Sequence, residues 1–439
     1  MDRASAAAFT SYTVVAAFSV YFCMYAFRKP FAVATYEGRT ELPGLPPMDT
    51  KVLFIIAQVI GYCLSKFVGI KVISEMTRRG RGLAILACIG VAEGALALFA
   101  TTPAPWNAFW LFVNGLPLGL VWGLVFGFLE GRRVSEVLGA GLSASFIVAS
   151  GATKSVGIWV MAQGVSEMWM PFVTGAIFVL PMLLFVRMLS LVPPPTVADE
   201  ALRTRREPMG RVARNRFVRA HAPGLIFLTV LYMALTAYRD FRDNFSRELW
   251  DAMGAGEQAA VYTQTEIIVA FAVLVALATI MAIRRNRAAL LAVQVIMLGG
   301  SVLIGASTWA FQTHLISPLT WMTLVGTGLY LGYVPYGCVL FDRLIAALGE
   351  VANAGFLIYF ADAFGYLGSV AILLFKTFGQ AELSWLEFFV TFSYATSILC
   401  TVCFVLAIGY FYRRLAPERA PDLSVDLLAV GAVSPEESP

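Results

Sequence analysis

Phe27-Arg28-Lys29-Pro30-Phe31 returns 214 residues later as Phe241-Arg242-Asp243-Asn244-Phe245, and the recurrence decides how the chain is read. Each copy carries charge inside an apolar run long enough to cross a bilayer. Three further pairs follow in chain order. Arg78-Arg79-Gly80-Arg81 matches Arg284-Arg285-Asn286-Arg287 at an offset of 206. Gly115-Leu116 and Gly119 match Gly328-Leu329 and Gly332 at 213. Gly141, Phe146, Gly151 and Ser155-Val156 match Gly355, Phe360, Gly365 and Ser369-Val370 at 214. A single match of this kind arises by chance. Four in order, at nearly one offset, mark two copies of one helical unit.

Composition says what kind of unit it is. Of 439 residues, 59% are apolar and 14% charged, and the mean hydropathy is +0.75. An ordinary soluble domain is roughly 45–50% apolar and about 25% charged. A soluble enzyme, a nucleic-acid binder and a disulfide-stapled secreted domain are excluded. A span needs about 20 apolar residues. Runs bounded by charge or proline predict twelve of them: 8–36, 50–75, 82–101, 107–129, 135–162 and 169–191, then 223–246, 259–283, 287–310, 317–341, 350–377 and 386–412. Six spans repeated in parallel about an axis along the membrane normal form the plan of major facilitator carriers. The expected architecture is an all-α membrane protein of two pseudo-symmetric six-helix bundles, residues 1–192 and 223–415. A basic linker, 193–222, joins them and a disordered tail, 416–439, follows.

Basic residues orient the chain. Loops after even-numbered spans hold Arg78, Arg79, Arg81, Arg132, Arg133, Arg284, Arg285, Arg287 and Arg343, and the linker holds Arg203, Arg205, Arg206, Arg211, Arg214, Arg216 and Arg219. The other loops hold little beyond Arg39, Lys51, Arg247 and Lys376. Both termini are therefore expected in the cytoplasm, with the protein in a bacterial inner membrane. The first run has almost no basic flank and no cleavage site, so it reads as a retained helix. Cys23, Cys63, Cys88, Cys338, Cys400 and Cys403 lie in apolar segments without zinc-ligand spacing to His221 or His314. They read as buried thiols, and neither metal nor cofactor is expected.

A charge in the bilayer core costs about 2.5–3.5 kcal/mol on insertion scales, so each one calls for a function or a partner. Those in or near the core are Arg28, Lys29, Lys66, Lys154, Arg239 and Arg242, against Glu93, Asp240, Asp243, Glu266 and Asp362. The repeat axis would set Arg28 and Arg242 face to face across a central cavity, two forked donors suited to a phosphate or carboxylate. Pairing within one span is the alternative, since Arg239 and Asp243 are spaced i, i+4 and Lys29 can snorkel. Tyr25 lies one turn before Arg28, on the cavity side by this reading. Tyr36, Trp122 and Tyr333 stay open between the cavity and an interfacial belt.

Tyr25-Ala26-Phe27-Arg28-Lys29-Pro30-Phe31-Ala32 resembles the first-span signature of the organophosphate:phosphate antiporters, the glycerol-3-phosphate and hexose-phosphate transporters. Gly61-Tyr62-Cys63-Leu64-Ser65-Lys66-Phe67, the spacing of Gly115, Gly119 and Trp122, and Gly355-Phe356 with Phe364-Gly365-Tyr366-Leu367-Gly368 are similar to their second, fourth and eleventh spans. Glu266 stands about where they hold an eighth-span glutamate. The resemblance implies that Arg28 and Arg242 grip a substrate phosphate, with Tyr25 and Lys66 lining the cavity. It also implies that span five lies beside eight and span two beside eleven, pairing Lys154 with Glu266 and Lys66 with Asp362 as gates. Ser150 stands near the position where those antiporters carry a fifth-span histidine.

The expected function is a secondary transporter that moves a small organic anion, a phosphorylated metabolite or a carboxylate, by alternating access, with exchange for phosphate as one form of it. Arg28, Arg242, Tyr25, Lys66, Arg239 and Lys29 would be substrate contacts, and Lys154, Glu266 and Asp362 gating or proton-coupling groups. The alternatives are a proton-coupled symporter, with Glu266, Asp362 or Glu93 carrying the proton, and a carrier-like sensor that does not transport. No nucleophile with a positioned base is visible, so an enzyme is not expected. The partners expected are a small anionic metabolite and the lipid bilayer, with no nucleic acid, and the chain is expected to be a monomer.

Overall fold

A computed structural model of the chain describes residues 6–44, 46–76, 78–129, 132, 134–195, 211–349 and 354–415. The tail 416–439 and the linker arginines Arg203, Arg205 and Arg206 lie outside the described residues. The first half holds α1 (Ala6–Ala26), α2 (Thr50–Glu75), α3 (Arg78–Thr101), α4 (Ala108–Leu129), α5 (Ser135–Ala162) and α6 (Met170–Ser190). The second holds α7 (Arg211–Asn244), the short α8 (Ser246–Ala252), α9 (Ala259–Met281), α10 (Asn286–Gln312), α11 (Pro318–Cys338), α12 (Leu340–Leu348), α13 (Ala354–Leu374) and α14 (Trp385–Tyr412). Among the described residues, eleven helices are long and apolar enough to cross a membrane, and the bent pair α11 and α12 supplies a twelfth span.

Three boundaries differ from the hydrophobic pattern. The first span was expected to run to residue 36, but α1 stops at Ala26 and the chain continues through a 3₁₀ turn, Pro30–Val33. Pro30 has no N–H to donate and its ring crowds the preceding turn, which disfavours continuing the helix even though Lys29 itself keeps helical angles (φ −103°, ψ −24°). The seventh span was expected from 223, yet α7 begins at Arg211 and bends at His221 (φ −115°, ψ 16°) just before Pro223. Much of the expected linker is therefore helix. The tenth span divides into α11 and α12, which meet at 56°. α12 is amphipathic, burying Leu340, Phe341, Leu344, Ile345 and Leu348. Its Arg343 turns outward to Asn286 (2.8 Å) and Glu136 (3.0 Å).

Within the first half α2 packs on α4, α3 on α4, and α1 on α5 and α6. Within the second α10 packs on α11 and α14, and α7 on α13 and α14. The halves meet where α5 lies against α9 and α2 against α13, the adjacency that the resemblance implies. Glycines let two of these helix pairs approach closely. A Cβ on Gly115 would lie 2.3 Å from the Gln58 carbonyl oxygen, and one on Gly151 would lie 1.9 Å from the Tyr262 carbonyl oxygen across the seam between the halves. Large apolar side chains face outward, with Leu180 76% and Phe271 70% exposed. Water does not tolerate such a surface and a hydrocarbon solvent does. The chain is an integral membrane protein.

Gly115→Leu should force α2 and α4 apart and destabilise by about 1–3 kcal/mol, the usual cost of overpacking a close contact. Gly90→Leu on α3, where nothing lies within 4 Å of the new Cβ, should leave the melting temperature in detergent unchanged or raised.

Candidate functional site

The break at Lys29-Pro30 builds the site. Where α1 ends, the Phe27 and Arg28 carbonyls lose their helical partners, and two polar side chains inside neighbouring apolar spans take them up. Asn114 of α4 donates to the Phe27 carbonyl (3.0 Å) and the Ala92 carbonyl (3.0 Å). Gln58 of α2 donates to the Arg28 carbonyl (3.0 Å) and to Asn114 Oδ1 (2.8 Å). A buried carbonyl left unmatched costs about 1–3 kcal/mol, so this pair fixes the path of the broken segment. Arg28 and Lys29 then project inward, 3% and 2% exposed.

The second copy stays helical to Asn244, and α7 deals its charges to three places. Arg239 donates to Asp240 Oδ1 through Nε (3.0 Å) and Nη2 (2.8 Å), to the Tyr366 hydroxyl (3.0 Å) and to the Tyr333 hydroxyl. Arg242 donates to Glu266 Oε1 (2.8 Å) and the Met322 carbonyl (3.0 Å). Asp243 accepts from Lys29 and Ser150 of the first half and from Lys154 (2.6 Å). Lys29 also reaches Asn244 Oδ1 (2.9 Å), and Lys154 reaches Ser246 Oγ (3.0 Å).

These contacts form two clamps between the halves, one at each end of the bundle. At the end away from the chain termini, Lys29 and Lys154 hold Asp243, and Lys51 holds Glu248 (2.5 Å). Towards the terminal end, Lys66 of α2 holds Asp362 of α13 (2.9 Å), and Tyr232 donates to the same carboxylate (3.0 Å). Arg343 and Glu136 close the rim there.

Between the clamps lies a cavity of about 510 Å³ including its mouth, lined by Tyr21, Tyr25, Tyr62, Lys66, Trp122, Phe146, Tyr232, Arg239, Tyr333, Asp362 and Tyr366 among others. Tyr62 and Tyr366 meet across the seam with ring centroids 4.8 Å apart. Three cations gather on them. The Arg28 guanidinium lies 3.6 Å from the Tyr62 centroid, Lys66 Nζ 4.9 Å from the same ring, and the Arg239 guanidinium 5.5 Å from the Tyr366 centroid. The ring quadrupole attracts each of them without neutralising it. Arg28 Nε is buried without a hydrogen-bond partner among the described residues.

Several expectations are revised by this geometry. Arg28 and Arg242 do not face each other across one cavity. Arg242 lines a separate small cavity with Lys154, Asp243 and Glu266, because Glu266 and the Met322 carbonyl hold its guanidinium. Of the three arginines only Arg239 lines the aromatic cavity, while Arg28 stacks on the ring of Tyr62, which does line it, and neither Arg28 nor Lys29 is part of the lining. Lys154 meets Asp243 and not Glu266, since Arg242 already occupies that carboxylate. Lys66 does meet Asp362. Trp122 and Tyr333 line the cavity, whereas Tyr36 is buried at the far end, where its backbone N–H donates to Glu167. Glu93 lies outside the cavity, against Gly175 of α6, with both oxygens buried and without a hydrogen-bond partner among the described residues. Gln58, Asn114, Tyr62 and Tyr366 were not singled out as site residues. The signal for Gln58 and Asn114 was their amide side chains amid apolar spans. For the tyrosines nothing separates cavity from interface in a single sequence.

The model of a family described as a family of unknown function (DUF5690) matches residues 30–414, so the chain belongs to that family. No curated protein matches it in sequence. Among solved structures it is similar to a D-xylose–proton symporter, with a TM-score of 0.62, 15% identity, and 93% of this chain and 97% of that one covered. It is similar to a bacterial homologue of the human drug peptide transporters PepT1 and PepT2, with a TM-score of 0.58, 12% identity and 93% and 100% coverage. The inward-open xylose transporter XylE from E. coli matches at 0.58, 12% identity and 96% and 98% coverage. The fold is that of the major facilitator transporters.

Removing one member of a buried ion pair leaves an uncompensated charge and costs about 3–5 kcal/mol. Asp243→Asn strands Lys29 and Lys154 together and should lower the melting temperature sharply. Lys29→Met should cost less, because Asp243 keeps Lys154. Thermal unfolding of both variants in detergent checks the order.

Proposed function

We propose that this member of the DUF5690 family is a secondary transporter that carries a small organic anion by alternating access. The observation that carries the reading is an imbalance of buried charge. Among the described residues along the seam and cavity, Arg28, Lys29, Lys66, Lys154, Arg239 and Arg242 are buried with the carboxylates Asp240, Asp243, Glu266 and Asp362, and all of these side chains are at most 14% exposed. Two positive charges are therefore left over in a low-dielectric interior. An anion entering the aromatic cavity removes that cost, and the forked guanidiniums of Arg28 and Arg239 suit a carboxylate or a phosphorylated metabolite. Tyr25 and Lys66 complete the contact surface in this reading, while Lys29 and Arg242 serve the clamps.

Alternating access follows from the two clamps. Opening either end requires its ion pairs to separate, and the bound anion supplies the differential interaction that lets the halves rock. Lys154 with Asp243 gates the far end and Lys66 with Asp362 the other. The distribution of arginines favours a cytoplasmic position for the terminal end. Exchange against inorganic phosphate needs only that the empty, overcharged carrier reorient poorly. A proton-coupled form is favoured by one detail. Glu266 Oε2 is buried beside Arg242 without a hydrogen-bond partner among the described residues and is placed to take up a proton.

The test is thermal stabilisation of purified protein by a panel of phosphorylated and carboxylated metabolites, followed by uptake into liposomes. A ligand at 100 times its dissociation constant should stabilise by about 2.7 kcal/mol. Arg28→Ala and Arg239→Ala should each abolish the response and the uptake. Anion stabilisation that survives in both variants, or no response to any anion, overturns the reading. Uptake that collapses when the pH gradient is dissipated, and that Glu266→Gln abolishes, selects proton coupling over exchange.

A further inference from the structure

On the outer side of the α7–α13 pair, away from the central cavity, α7, α12 and α13 enclose an apolar groove of about 940 Å³ including its mouth. Val218, Ala222, Ile226 and Met233 of α7 form one wall, with Phe341 of α12 and Phe364 of α13 opposite. Its one hydroxyl, on Thr229, is turned back on the Leu225 carbonyl (2.7 Å), so the walls offer nothing polar to an occupant. From Val218 to Met233 the helix rises roughly 22 Å, enough to pass from the headgroup region to the middle of a hydrocarbon core about 30 Å thick. The groove therefore runs the depth of one leaflet, parallel to an acyl chain.

Two cations that do not line the groove flank its Val218 end on α7. Arg219 directly follows Val218 and stands three positions before Ala222, and Arg216 lies one turn earlier. Both are exposed, and neither is in an ion pair or hydrogen bond among the described residues. A leaflet-deep apolar slot flanked at one end by two arginines matches one chemistry, a diacyl lipid with an anionic phosphodiester headgroup.

We propose that this groove is a binding site for an anionic phospholipid, with the headgroup phosphate on Arg216 and Arg219 and an acyl chain between α7, α12 and α13. The two helices that form its walls carry Arg239 and Asp362 on their cavity side. A chain lodged behind them packs against α13, the helix whose Asp362 pairs with Lys66. The proposal is independent of the substrate reading, because Arg216 and Arg219 take no part in the central cavity.

The experiment uses delipidated full-length protein in a neutral detergent, supplied with dioleoylphosphatidylglycerol or with dioleoylphosphatidylcholine, which has the same chains without net charge. Thermal stability and native mass spectrometry of retained lipid are read for wild type, the Arg216→Ala/Arg219→Ala double variant and Ala222→Trp. An arginine near an anionic membrane surface contributes about 1 kcal/mol. Wild type should therefore retain the anionic lipid roughly tenfold or more over the zwitterionic one, with a matching rise in melting temperature. The double variant should lose the preference, and Ala222→Trp should lose tight retention of both lipids by filling the groove. Equal retention of the two lipids by wild type, or a preference that persists in the double variant, overturns the site. Both arginines are exposed, so the double variant is expected to fold even if Ala222→Trp does not.

Discussion

One carboxylate does more than any other group to hold the two halves together. Asp243, near the end of α7, accepts Lys29 from the break after α1 and Lys154 from α5. Each partner comes from the opposite six-helix bundle. Shifting one bundle against the other must either carry these contacts along or leave two ammonium groups stranded in a dry interior.

The polarity of the seam follows a rule. Among the described residues, Lys29, Lys51, Lys66 and Lys154 of the first half meet Asp243, Glu248 and Asp362 of the second, and only the rim pair Glu136–Arg343 runs the other way. Buried ion pairs contribute little net stability, because desolvation offsets most of their attraction. That makes them poor glue and good latches. A pair close to balance can open when its carboxylate or ammonium finds water or a ligand, whereas the apolar packing inside each bundle cannot. Both sets of ion pairs are formed at once, on either side of the aromatic cavity.

The same break that supplies Lys29 also presents Arg28, and the rest of the site is organised around that irregular backbone. Gln58 and Asn114 answer the freed carbonyls. Tyr62 offers a ring face to the guanidinium, which leaves its charge available. On the other half Arg239 is tied to Asp240 but still presents itself beside Tyr333 and Tyr366. The pseudo-symmetry of the sequence is thus not reproduced in the chemistry. The first copy ends its helix and offers an arginine with no ion pair among the described residues. The second copy, lacking the proline, continues as helix and spends its matching arginine on Glu266.

The sequence alone was sufficient for the membrane location, the twelve spans and the two-fold repeat, because these rest on hydropathy and on residue order, which are properties of the chain. It also marked most of the charges that must be paired or used, since each is costly in hydrocarbon whatever its neighbours, but it placed Lys51 in a loop and did not mark its partner Glu248. It did not determine which charge pairs with which. Asp243 and Glu266 are both carboxylates near the far ends of their spans, and only the rotation and height of α5, α7 and α9 decided that Lys154 takes the first and Arg242 the second. Nor did it separate Trp122 and Tyr333, which line the cavity, from Tyr36, which does not. Periodicity in a helix buried on most sides carries no label for the face that meets a cavity, so that assignment belongs to the tertiary structure.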